Sequence, residues 1–134
     1  MQQANGRDDL MRYALQATAF FNVGGALVFA FPDSLGRLVG FPGGVPRVYS
    51  ATIVIFVLLF AGAYAWLARQ PRIDRPLVAM AAIGKASLVA AMVGFWLLGD
   101  VPARTVVAVS GDLVFVIVFC WWLLADGARA EGVV

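Results

Sequence analysis

Two stretches decide the fold: LVAMAAIGKASLVAAMVGFWLL at residues 77–98 and RTVVAVSGDLVFVIVFCWWLLA at residues 104–125. At about 1.5 Å of rise per residue, each is long enough as a helix to cross a hydrocarbon core ~30 Å thick. Each holds one charge well inside its apolar run, Lys85 in the first and Asp112 in the second. Charges at that depth are costly and face a bundle interior or a polar cavity. The rest of the chain is what is needed to bury them.

Composition agrees with that reading. Of the 134 residues, 62% are hydrophobic and 13% charged, and the mean hydropathy is +0.86. Soluble domains have roughly 45–50% apolar and ~25% charged residues, so water is not the solvent for most of this surface. The net charge of +2 comes from basic residues scattered among helix ends. They suit membrane anchoring better than nucleic-acid binding. The chain has no histidine and one cysteine, Cys120. This excludes His-ligated haem, the common zinc sets, a histidine proton shuttle and any intrachain disulfide. Cys120, inside an apolar run, is expected to be a buried small hydrophobe.

Two further spans precede the decisive pair, at about 10–31 and 47–68, so that one all-α domain of four transmembrane helices fills 1–134. The first apolar run is too long for a secretory signal and has no convincing cleavage motif, so it is expected to be retained. In it Thr18, Asn22, Gly25 and Phe29 share one stripe at helical spacing, which turns Asn22 toward other helices. Pro32–Pro46 is the connection, with an interfacial turn or helix before the breaker Pro42-Gly43-Gly44-Val45-Pro46. Near the end of the second span, Trp66 and the following Arg69 resemble an interfacial belt. Position slightly favours the same belt role for Tyr64 over an inward hydrogen-bonding one.

A basic loop, Arg69–Pro76, leads to the third span. There Ala82, Ala86, Ala90 and Gly94 form a ladder of small residues that predicts close helix packing. In the fourth, Ala108, Asp112, Phe115 and Phe119 share a stripe, and a polar tail, Asp126–Val134, follows. Four spans put both termini on one side together with Arg7, Arg12, Arg69, Arg72, Arg75 and Arg129. Arg37, Arg47 and Arg104 lie on the other. The excess of arginine predicts cytoplasmic termini in a multi-pass inner-membrane protein.

Lys85 is the ninth residue of its span and Asp112 the ninth of the next, antiparallel one, so their levels are expected to differ by roughly 8–9 Å. A direct ion pair and a bridge through water, Asn22 or a tyrosine both remain open. A pair of this kind can serve only to set helix register, can line a polar cavity that binds a proton, ion or head group, or can meet a partner protein. Other chemistry is sparse. Ser87 and Ser110 have no histidine to activate them, and Asp112 is the one acid inside the spans. Gly24-Gly25 lies within an apolar helix and is no phosphate loop. Phe20–Phe21, Phe95–Trp96 and Trp121–Trp122 could wall a cofactor pocket, although aromatic residues here more often pack or sit at the interface.

Phe21-Asn22-Val23-Gly24, Gly62-Ala63-Tyr64, Ala82-Ile83-Gly84-Lys85 and Gly111-Asp112-Leu113-Val114-Phe115, with the short Arg69–Pro76 loop, resemble a widespread group of small, uncharacterised bacterial four-helix membrane proteins. Size and topology, though not shared residues, are also similar to the DoxX-like proteins, some of which are linked to quinone-dependent redox systems. The resemblance implies a four-helix bundle in a bacterial inner membrane and picks out Asn22, Tyr64, Lys85 and Asp112.

The expectation is therefore a non-enzymatic protein that binds or transports a small hydrophobic or anionic molecule, or an ion, at a polar cluster of Lys85, Asp112, Asn22 and Tyr64. Neither metal nor cofactor is expected. Beyond the lipid bilayer, the partners considered are a second copy of the chain or a larger complex. The alternative role is an accessory or assembly subunit of a larger, redox-linked membrane complex.

Overall fold

The computed structural model describes the backbone of residues 2–130 and the side chains of residues 6–125. Met1, residues 131–134 and the Arg129 side chain used in the topology argument lie outside the described residues. Within them the chain is helical: α1 Gln2–Ala30, α2 Arg47–Leu67, α3 Arg75–Leu97 and α4 Ala103–Ala130. Each contains a stretch long and apolar enough to cross a membrane, at Gly6–Ala30, Arg47–Leu67, Arg75–Leu97 and Ala103–Ala125. Four helices stand where the spans were expected, with α1 beginning earlier. The expected polar tail from Asp126 is helical as far as Ala130.

Local chemistry sets the ends that matter for the site. The Asp74 carboxylate accepts a hydrogen bond from the Leu77 backbone N–H at 3.0 Å, and Pro76 occupies the first turn. An acidic N-cap followed by proline starts a helix efficiently, so α3 begins at Arg75, ahead of the expected 77. At the other end Gly99 adopts φ +84°. The Asp100 N–H then reaches back to the Phe95 carbonyl at 2.9 Å and that of Gly99 to Trp96 at 3.0 Å. This glycine-closed turn satisfies the last carbonyls and reverses the chain into α4.

The connection between α1 and α2 opens with one π-helical turn, Pro32–Gly36. Its middle is pinned at Gly40, which has φ +90°. A Cβ there would fall 2.5 Å from Thr105 Oγ1 and 2.6 Å from Pro102 Cγ. Only glycine suits both that backbone conformation and that approach to the start of α4.

The helices assemble as two antiparallel hairpins, α1 along α2 and α3 along α4, joined by a lighter seam between α1 and α4. Among the described residues, α2 and α3 do not pack along each other. The bundle is solid at one end only. Met11 and Leu15 of α1, Leu67 of α2, Val78 of α3, and Phe119 and Trp122 of α4 form a buried cluster there. Polar contacts tie the same end. The Arg12 guanidinium donates to the carbonyls of Ala68 at 2.7 Å and Pro71 at 3.1 Å. Trp122 Nε1 donates to Asp8 at 3.0 Å, and Arg75 donates to the Leu123 carbonyl at 2.6 Å.

The outer surface is apolar nearly throughout: Phe20, Leu27, Ile55, Leu59, Ile83, Leu98, Val107 and Ile117 are all exposed. An apolar exterior of this extent suits lipid rather than water and supports a multi-pass membrane protein.

Three expectations need correction. Tyr64 is buried at 6% exposure and is no belt residue, because its helix turns that face toward α1, α3 and α4. Trp66, two residues on, is the one that stays exposed. Cys120 is exposed, since it is turned about 100° around α4 from the buried Phe119 and off the stripe that Thr105, Asp112 and Phe119 share. The small-residue ladder of α3 is packed at Ala82, half-buried at Ala86 and Gly94, and exposed at Ala90. The two hairpins meet at the solid end, which leaves Ala90 uncovered.

Candidate functional site

Lys85 and Asp112 meet directly. The Lys85 ammonium donates to the Asp112 carboxylate, and each side chain keeps only 7% exposure. Their helix bounds explain the contact. Lys85 precedes the α3 terminus Leu97 by 12 residues and Asp112 follows the α4 start Ala103 by 9. At about 1.5 Å per residue the two Cα levels lie ~18 Å and ~13–14 Å from the shared turn. That difference of ~4–5 Å is within reach of a lysine stem, although both side chains lean toward their own helix N-termini and so apart. The bridge through Asn22 is present as well. Its Oδ1 accepts from the same ammonium at 3.1 Å, which brings α1 into the cluster.

Aromatic rings enclose the ammonium on its remaining sides. Lys85 Nζ lies 5.7 Å from the centroid of Phe21, 5.6 Å from Tyr64 and 5.5 Å from Phe115. Their electron-rich faces favour a cation that has lost its water shell. Phe21 and Phe115 also meet edge-to-face at 5.6 Å. Gly111 makes room for this, because a Cβ there would fall 2.6 Å from the Phe21 ring. All four residues singled out from the sequence, Asn22, Tyr64, Lys85 and Asp112, therefore meet at one point, one from each helix. Phe21 was legible in the sequence as a possible pocket wall and Phe115 as a neighbour of Asp112 on one helical stripe, but neither was expected to pack against the Lys85 ammonium.

The cluster sits where the solid end of the bundle gives way to a hollow one. A cavity of about 670 Å³ extends from it toward the connection between α1 and α2. Asn22, Tyr64, Lys85 and Asp112 all line it, and apolar groups supply most of the remainder, among them Val28 and Phe29 of α1 and Val39 and Phe41 of the connection. Phe60 of α2 and Met80, Ile83 and Leu88 of α3 line it while remaining exposed, so its mouth opens sideways between α2 and α3. The hairpins splay on this side because α2 and α3 share no long seam. The size and the apolar walls with a few converging polar groups are those of small-molecule sites.

The chain matches no known protein family, no curated protein and no solved structure. What the site can do therefore rests on its own residues. Among the described residues no group of histidine, cysteine, aspartate or glutamate is placed to hold a metal ion. Hydrogen-bonding capacity is left over at the cavity floor. Lysine offers three N–H donors and the primary amide of asparagine two. Among the described residues, the hydroxyl of Tyr64 and Nδ2 of Asn22 engage no protein partner.

Proposed function

We propose that this is a bacterial inner-membrane protein, with both termini in the cytoplasm, that binds a small and largely apolar molecule. The molecule enters sideways from the bilayer between α2 and α3 and rests its polar end on the cluster of Lys85, Asp112, Asn22 and Tyr64. One observation carries the reading: the side-opening apolar cavity ends on a buried, aromatic-walled ion pair with donors to spare. A structural lock alone needs the ion pair but not the cavity.

The solid core of Met11, Leu15, Phe119 and Trp122 fills the bundle beyond the pair. That supports a one-mouthed binding site over a conducting pore. Residues of all four helices line the cavity, so one chain suffices to build it.

The test is mass spectrometry of small molecules that co-purify with the protein in nanodiscs. Gly25 lines the cavity, and a Cβ there would meet nothing within 4 Å, so the side chain of Gly25→Leu starts into open cavity space. The wild type should be enriched in a species that Gly25→Leu lacks while both unfold at similar temperatures. Identical profiles for the two, matching bulk lipid, would refute the binding reading.

A further inference from the structure

We infer that the molecule held at this site carries an uncharged hydrogen-bond acceptor, a carbonyl group, at its polar end. This rests on the binding reading above and adds the chemistry of the head.

The first support is charge balance. The Lys85 ammonium and the Asp112 carboxylate neutralise each other within the cluster. An anionic head would bring a further charge into an apolar cavity that has no free cation to match it, at a high desolvation cost. A cationic head would have to compete with Lys85 for Asp112.

The second support is the direction of the unused hydrogen bonds. Asn22 accepts from Lys85 through Oδ1, which leaves the two N–H groups of Nδ2 without a partner among the described residues. Lys85 donates to Asp112 and Asn22, leaving one of its three N–H groups. The Tyr64 hydroxyl belongs to a side chain at 6% exposure, lines the cavity and engages no partner among the described residues. The hydroxyl is therefore not sealed by protein and stays available to a ligand in the cavity. Donors thus dominate what the floor offers, and a carbonyl oxygen with two lone pairs answers them. The ring of Phe21, which lines the cavity beside the ammonium, suits a flat group next to that oxygen.

The experiment compares three probes of similar length in nanodiscs: 2-octadecanone, 1-hexadecanesulfonate and octadecane. Binding is read from the dose-dependent rise in unfolding temperature of wild type and Tyr64→Phe. In wild type the ketone should bind about 10-fold or more tighter than the sulfonate or the alkane. Tyr64→Phe should lower ketone affinity by roughly 3–10-fold, the worth of one hydrogen bond, and leave octadecane unchanged. Tighter binding of the sulfonate would overturn the neutral head while leaving the binding site standing. Equal ketone affinity in Tyr64→Phe would remove tyrosine from recognition and overturn the donor argument. If octadecane binds as well as the ketone, the head is not read at all. Binding of none of the three would overturn this inference together with the binding reading beneath it.

Discussion

Lys85 of α3 and Asp112 of α4 form a direct ion pair with both side chains almost fully enclosed, and Asn22 of α1 shares the ammonium. The pair thus joins the α3–α4 hairpin to the α1–α2 hairpin, at the level where the solid end of the bundle opens into the cavity. Truncating one partner leaves the other charged and alone. Lys85→Met or Asp112→Asn should each cost about 3–5 kcal/mol of stability. The double variant should recover much of that loss, because it leaves no unpaired charge. Thermal unfolding of all four proteins closes the cycle. Additive losses would show that the two groups are not energetically coupled.

Tyr64→Phe tests the orientation of that side chain. Its ring packs 6.4 Å from Phe119 and beneath the Lys85 ammonium, and these contacts survive the substitution. The hydroxyl makes no hydrogen bond to a described residue. Ligand-free stability should therefore change by no more than about 0.5 kcal/mol. A larger loss in thermal or denaturant unfolding would mean that the hydroxyl has a protein partner.

Gly40→Ala should be far more damaging than its size suggests. The new Cβ must take a left-handed backbone conformation and meet Thr105 Oγ1 and Pro102 at the start of α4. The strain alone is of the order of 1–3 kcal/mol. Because Val39 and Phe41 beside it line the cavity, the variant should also weaken ligand binding. Unchanged unfolding temperature and unchanged binding would show that this connection does not depend on its fit against α4.

Asp74→Ala removes the cap of α3 and should cost about 1 kcal/mol, whereas Asp74→Asn or Asp74→Ser should retain most of it. The comparison isolates the hydrogen bond to the Leu77 N–H from the charge. Equal losses for Asp74→Ala and Asp74→Asn in unfolding experiments would assign the effect to the charge.

The four helices, their approximate bounds and the residues worth watching were legible in the sequence. Hydropathy over a span is a local sum, and caps such as Asp74-Arg75-Pro76 and Gly99 act within a turn. Lys85 and Asp112 stood out because a charge is costly in any apolar run, whatever its neighbours. The pairing geometry was less legible. α3 ends and α4 begins one residue earlier than the hydropathy suggested, which together bring the two levels closer by ~3 Å and favour a direct contact over an indirect bridge.

Only the tertiary structure decided how each helix is rotated and how the hairpins splay. Rotation turns Tyr64 inward and Cys120 outward, although both lie in equally apolar surroundings along the chain. Splay closes the bundle around Met11, Leu15 and Phe119 and opens it beside Lys85, creating the cavity and leaving Ala90 uncovered. Helix rotation and splay depend on side chains meeting from segments far apart in sequence, such as Phe21 fitting over Gly111 and Arg12 reaching Ala68. Composition and periodicity measure how apolar a face is; they do not measure which other face is shaped to meet it.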